Sequence, residues 1–117
     1  MKCETLDVWK RSARMSANIY KYFAEFKDYG FKDQITRAGL SVPSNIAEGM
    51  GKNSTKENIM FLEIARGSLA ELATQVYIGI DIGYIENDIG RVWISELEEI
   101  LKMIIGLQNN LRKKVNV

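Results

Sequence analysis

The sequence predicts an all-α fold, an antiparallel up-down-up-down four-helix bundle, and three observations predict it. Apolar residues recur at three- and four-residue steps in four separate segments, the period of one face of an α-helix. Short stretches of turn and capping residues separate these segments, so each helix must fold back on its predecessor. No segment sustains the period-two alternation of a half-buried strand. At 117 residues the chain has the length of a single domain, 1–117, and buries a core without disulfide or metal staples.

The first helix is expected from Leu6 to Phe26, with Thr5 as N-cap and Asp7 placed to suit the helix dipole. Its main stripe reads Leu6, Trp9, Ala13, Ala17, Tyr20 and Phe23. A second stripe, Val8, Met15, Ile19, Tyr22 and Phe26, widens the apolar surface beyond what one bundle core needs. It is either buried core or a subunit contact. Asp28-Tyr29-Gly30 then reads as a turn.

The second helix is expected from Phe31 to Met50, with the stripe Phe31, Ile35, Ala38, Val42, Ile46 and Met50. Gln34, Ser41, Asn45, Glu48 and Lys52 form its polar register, and Gly49 and Gly51 are expected to end it. It contains the chain's only proline, Pro43. A proline in a helix interior deletes one backbone hydrogen bond and crowds the carbonyl four residues back, at a cost of roughly 3 kcal/mol. That carbonyl belongs to Gly39, and the apolar stripe continues in register through Val42 and Ile46. A kink at Pro43 is therefore expected, with a true break capped by Ser41 as the alternative. The kink should aim Asn45 and Glu48 at Arg66, Ser68 and Glu71 of the third helix.

In the next connection, Ser54 and Glu57 have the spacing of a capping box. The third helix is expected from Thr55 to Ile82, with Leu62, Ala65, Leu69, Leu72, Val76 and Gly79/Ile80 inward. Small Gly67, Ser68 and Ala70 permit close approach of a neighbouring helix, and Gly83 is the stop. The fourth helix is expected from a cap at Asn87 or Asp88 to Arg112, with Trp93, Leu97, Ile100, Ile104, Leu107 and Leu111 inward. Glu96, Glu98 and Glu99 early and Arg112-Lys113-Lys114 late complement its dipole.

The chemistry left open is narrow. There is no histidine, which removes the commonest general base and metal ligand. No phosphate-cradling glycine loop is present, and adjacent Glu98 and Glu99 diverge by about 100° on a helix. The reading is not an enzyme, with no cofactor, no metal and no small-molecule substrate. No apolar run approaches the roughly 20 residues of a membrane span, so no membrane partner is expected. The polar N-terminus, which begins at Met1, is read as the start of an intact cytoplasmic protein, and the lone Cys3 fits a reducing compartment.

Net charge is only +1, but residues 1–56 carry ten Lys/Arg against six Asp/Glu, and the remainder carries six against nine. A basic face built from Lys10, Arg11, Arg14, Lys21, Arg37 and Lys52 is thus the candidate contact for nucleic-acid phosphates. A second polar set, Asn45, Glu48, Arg66, Ser68 and Glu71, lies on helices two and three and reads first as a hydrogen-bond network locking them together.

Four motifs in this order carry a resemblance: Leu6-Asp7-Val8-Trp9; Gln34-Ile35-x-Arg37-Ala38; Ser41-Val42-Pro43-Ser44-Asn45-Ile46-Ala47-Glu48-Gly49; and Phe61 through Leu72 with its Ala65-Arg66-Gly67-Ser68-Leu69 centre. The chain resembles the 23S rRNA intervening-sequence proteins, also described as S23-like four-helix bundles, over nearly its whole length. The resemblance implies an up-and-down bundle that assembles into a ring-shaped homopentamer. It also implies association with RNA or ribosomal components, or, as in a related branch, an accessory role to a reverse transcriptase. Two functions are therefore expected to compete: an RNA-associated oligomer using the basic face, and a protein-interaction scaffold without nucleic-acid contact.

Overall fold

The computed structural model describes residues 1–115. A 3-10 turn over Lys2–Thr5 precedes four helices: α1 (Asp7–Tyr22), α2 (Tyr29–Met50), α3 (Thr55–Asp81) and α4 (Asn87–Val115). The described residues contain no strand. The bundle measures 50 × 21 × 21 Å, long enough to hold its 27-residue α3 at about 1.5 Å per residue. Each helix packs against the next and α1 also meets α4, whereas the diagonals α1–α3 and α2–α4 make no close approach, so the cross-section is a square. No described helix is long and apolar enough to cross a membrane.

The core fills the centre of that square. Val8, Met15, Ile19 and Phe23 meet Ile35, Ala38, Val42 and Ile46, then Leu62, Ala65, Leu69, Leu72 and Val76, then Trp93, Leu97, Ile100 and Ile104. Phe23, Phe26, Phe31, Tyr84, Tyr22 and Trp93 close one end with edge-on ring pairs, which suit the aromatic quadrupole. Tyr84 Oη donates to Asp28 Oδ2 at 2.7 Å, and the Glu86 amide donates to Tyr22 Oη at 3.0 Å, tying the two connections at that end together.

Several expectations are corrected. The inward stripe of α1 is the one led by Val8, Met15 and Ile19, with Tyr22 and Phe26 partly buried against the core; of the first stripe, Phe23 is fully buried, Leu6, Trp9 and Ala13 are half-buried, and Ala17 and Tyr20 are exposed. Ser12 and Ser16 are buried on this helix, and Ser12 Oγ donates to the Trp9 carbonyl, which makes the position tolerable. Thr5 does not cap α1: it lies in the preceding turn and donates to Lys2, and Leu6 stands at the cap position without a side-chain bond. Asp28 caps α2 by accepting from the Phe31 amide, so Tyr29 and Gly30 are helical rather than a turn. Helix α1 ends at Tyr22 rather than Phe26, and Asn87 and Asp88 lie inside the first turn of α4.

Gly49 does not end α2 but lies buried within it, where an added Cβ would sit 2.8 Å from the Phe61 Cβ. The other local signals act in whole or in part as the sequence implies. Ser54 accepts from the Glu57 amide, one half of the capping box, while the return bond from the Ser54 amide to the Glu57 carboxylate is absent among the described residues. Gly83 adopts φ +80° at the end of α3, letting the Tyr84 and Ile85 amides fold back onto the Gly79 carbonyl. Pro43 lies inside a helix that runs without a break from Tyr29 to Met50, which removes the alternative of a break capped by Ser41. Cys3 is a free, buried thiol.

Candidate nucleic-acid interface

Helix α1 sorts its side chains by angle. Val8, Ser12, Met15 and Ile19 face the core, Trp9 and Ala13 face α2, and Arg11 faces α4. The sector left over points away from the bundle and carries Lys10, Arg14, Ala17 and Lys21, all exposed. These stand four, seven and eleven residues along, so they form one straight line about 16 Å long at 1.5 Å per residue. None of the three cations makes an ion pair among the described residues. Their spacings of about 6 and 10 Å compare with the ~8 Å Debye length at physiological salt, so their fields sum at low salt and separate as salt rises.

The other three expected cations are engaged inside the chain. Arg11 reaches across to α4, donating from Nε to Glu96 Oε2 at 2.9 Å and from Nη2 to the second carboxylate oxygen, with Nη1 against Met103 Sδ. This two-pronged pairing is the geometry that suits guanidinium and carboxylate. The hydrogen bond holds the Glu96 carboxyl below its ordinary range and raises the Arg11 guanidinium further. Arg37 donates to Asp33 at 2.9 Å one turn back on α2. Lys52 stands 3.8 Å from Glu48 and over the Phe61 ring at 5.3 Å. The six cations therefore do not form one patch; the unpaired set is Lys10, Arg14 and Lys21.

The polar set on α2 and α3 divides in two. Ser41 Oγ and Ser68 Oγ share a hydrogen bond of 2.7 Å across the seam, and Asn45 Nδ2 donates to the Ser41 carbonyl at 2.8 Å and to its hydroxyl at 3.0 Å. Arg66 instead turns to α4, donating to Gln108 Oε1 at 3.0 Å and to Glu63 at 3.4 Å, while Gln108 Nε2 donates to Glu63 at 3.1 Å and to the Ile59 carbonyl at 3.3 Å. Glu48 is exposed beside Lys52, and Glu71 is exposed without a hydrogen bond among the described residues. The structure thus joins Asn45 to Ser68 through Ser41, and leaves Glu48 and Glu71 outside. Ser41 and the fully buried Gln108 are the linking residues that the sequence reading left out of the set. The signal for Gln108 was present: it occupies the inward register four residues after Ile104.

Among the described residues no group of three His, Cys, Asp or Glu side chains is placed to hold a metal. A family model described as 23S rRNA-intervening sequence protein matches residues 4–106. The chain belongs to the 23S rRNA-intervening sequence protein family. The family match takes in α1, α2, α3 and most of α4, and stops just short of Gln108. The fold is similar to the crystal structure of a protein of unknown function from the S23 ribosomal protein family of Bacteroides thetaiotaomicron, with TM-score 0.81 and 26% identity, covering 86% of this chain and 97% of that one. No curated protein matches the sequence.

Proposed function

We propose that this member of the 23S rRNA-intervening sequence family is a non-enzymatic cytoplasmic protein that assembles with copies of itself, as the homopentamer the resemblance implies, and associates with RNA or ribosomal components through phosphate contacts. The observation that carries the RNA reading is the outward line Lys10, Arg14 and Lys21 on α1, exposed and free of carboxylates among the described residues. Arg11, Arg37 and Lys52 serve the bundle's own electrostatics instead. Three cations make a weak site alone; repeated around a ring, they gain avidity without any new contact. Ribosomal RNA fragments should bind the purified protein at low salt and release steeply as salt rises. The triple variant Lys10→Glu, Arg14→Glu, Lys21→Glu should lose binding, and Arg37→Glu should retain it. Absence of binding by the unaltered protein at low salt overturns the reading.

The second reading is a protein scaffold without nucleic-acid contact, including an accessory role to a reverse transcriptase. Exposed Met60, Ile64 and Ile78 on α3, with Ile82 directly after it, favour it. A scaffold keeps its protein partners in the triple variant, which separates the two.

The same proposal includes two features of shape. Antiparallel up-down-up-down order is supported by the pairings: Arg11 meets Glu96 while Tyr22 meets Glu86, and Ser41 meets Ser68 while Gly49 lies against Phe61. A bend of α2 at Pro43 is supported by the amide the proline lacks and by Gly39 at the affected carbonyl, where an added Cβ would lie 3.5 Å from Ile19. A crystal structure with a straight α2 axis through Gly39 and Pro43 would remove the bend.

A further inference from the structure

We propose that the RNA this protein engages is single-stranded. Unpaired bases stack on Tyr20 and Tyr29 in the groove between the end of α1 and the start of α2, while phosphates run along Lys10, Arg14 and Lys21. This rests on the RNA part of the reading above and names the class of RNA it takes.

The chain has five tyrosines, and two of them show what a structural tyrosine does here. Tyr22 and Tyr84 pack edge-on against neighbouring rings, and each hydroxyl is hydrogen-bonded, one to the Glu86 amide and the other to Asp28. Tyr20 and Tyr29 do neither among the described residues. They are 44% and 71% exposed. Exposed apolar side chains scattered singly need no explanation. These two come from different helices and open onto one groove of about 810 Å³, which Leu40, 48% exposed, also lines. That volume lies within the roughly 300–1,000 Å³ of small-ligand sites, so the groove admits flat groups beside the rings.

The groove's own charges are already engaged. Lys32 Nζ donates to the Ala24 carbonyl at 2.9 Å, and Arg37 is paired with Asp33. The unpaired cations lie just outside, on the α1 ridge that ends at Lys21. Tyr20 and Lys21 are consecutive, with Cα atoms about 3.8 Å apart and directions about 100° apart round the helix. Lys21 therefore points outward with Lys10 and Arg14, while Tyr20 leans toward α2. A nucleotide whose phosphate meets Lys21 has its base within reach of Tyr20. The surface thus separates the two things a single strand offers, a row of phosphates and bare base faces. A duplex offers only the first. Its base faces are buried in the stack, and its protein contacts fall on phosphates and 2′-hydroxyls. Charge complementarity selects the polymer, and the two unpartnered rings select its unpaired form.

The test is fluorescence anisotropy at low salt with the full chain and a labelled oligoribonucleotide of about 12 nucleotides that forms no internal pairs. Two further probes are the same strand annealed to its complement and an abasic strand of equal length. The free strand should bind about tenfold or more tighter than either. Tyr20→Ala and Tyr29→Ala should each weaken free-strand binding about tenfold and leave duplex binding and its salt dependence unchanged. Tyr20→Phe and Tyr29→Phe should keep the parent affinity, because stacking needs the ring and not the hydroxyl. Circular dichroism confirms that each variant is folded. Equal affinity for free strand and duplex, alanine variants that bind as the parent does, or phenylalanine variants as weak as the alanine ones would each overturn stacking and leave the RNA reading standing. Binding to none of the three probes at low salt would sink both.

Discussion

The α2–α3 and α1–α4 seams close by opposite means. Between α2 and α3 the backbones come close because side chains are small or absent. Gly49 lies under Phe61, the Asn58 side chain donates to the Gly49 and Lys52 carbonyls, and Ser41 and Ser68 meet hydroxyl to hydroxyl. Between α1 and α4 the gap is spanned by long side chains: Arg11 to Glu96, and Tyr22 edge-on to Trp93 at 5.2 Å. The first seam is set by shape and cannot absorb volume. The second is set by charge and reach, so it tolerates volume but answers to pH.

The largest effect expected from this difference is at Gly49. Gly49→Val forces a Cβ to 2.8 Å from the Phe61 Cβ and 3.3 Å from the Asn58 carbonyl oxygen, and the latter is backbone that cannot swing aside. Overpacking of this kind costs about 3 kcal/mol. Gly106→Ala on α4, with nothing within 4 Å of the new Cβ, should shift stability the other way by about 1 kcal/mol through helix propensity. Urea denaturation of both checks the contrast; equal losses would mean that close approach is not what distinguishes the α2–α3 seam.

Next in size are the polar links. Gln108 is fully buried and serves Arg66, Glu63 and the Ile59 carbonyl at once. Gln108→Ala leaves a cavity and an arginine without its buried acceptor, for about 2 kcal/mol. Ser41→Ala removes the hydroxyl bridge to Ser68, yet the Asn45 amide keeps the Ser41 carbonyl, so about 1 kcal/mol is expected. A larger loss at Ser41 than at Gln108 would reverse the ranking and make the α2–α3 bridge the principal polar tie.

What the sequence made legible follows the same division. Helix existence, the Ser54 cap and the Gly83 stop are local, written within a few residues of where they act. The inward stripe of α1 was not legible, because two apolar stripes lie more than a third of a turn apart and neighbours decide between them. Buried Ser12 and Ser16 disguised the true inward register as polar. The candidate basic face was legible as a list of cations but not as a surface. Arg37 and Lys52 have carboxylates four residues back, a spacing the sequence displays, whereas the Glu96 partner of Arg11 is 85 positions distant and becomes a neighbour only when α1 meets α4.

The smallest effects are those of pH, and they sharpen the comparison at the α1–α4 end. Arg11 holds the Glu96 carboxyl below its ordinary range, and the Tyr84 hydroxyl, followed by the Phe31 amide, does the same for Asp28. Both carboxylates bind protons more weakly in the folded chain than in the unfolded one. Their contribution is therefore complete above the ordinary carboxylate range and disappears as pH falls through their lowered values. Tyr84 is shifted upward, first by its bond to Asp28, so its contribution is complete below pH about 10 and disappears as pH rises through the raised value. Glu96→Gln should flatten part of the acid limb of a stability–pH curve and leave the alkaline limb alone. Tyr84→Phe should flatten both, because it removes the donor that lowers Asp28 along with the group that titrates at high pH. Chemical denaturation from pH 2 to 11 distinguishes them, and an acid limb unchanged by Glu96→Gln would show that the α1–α4 seam is held by its aromatic contacts rather than by its ion pair.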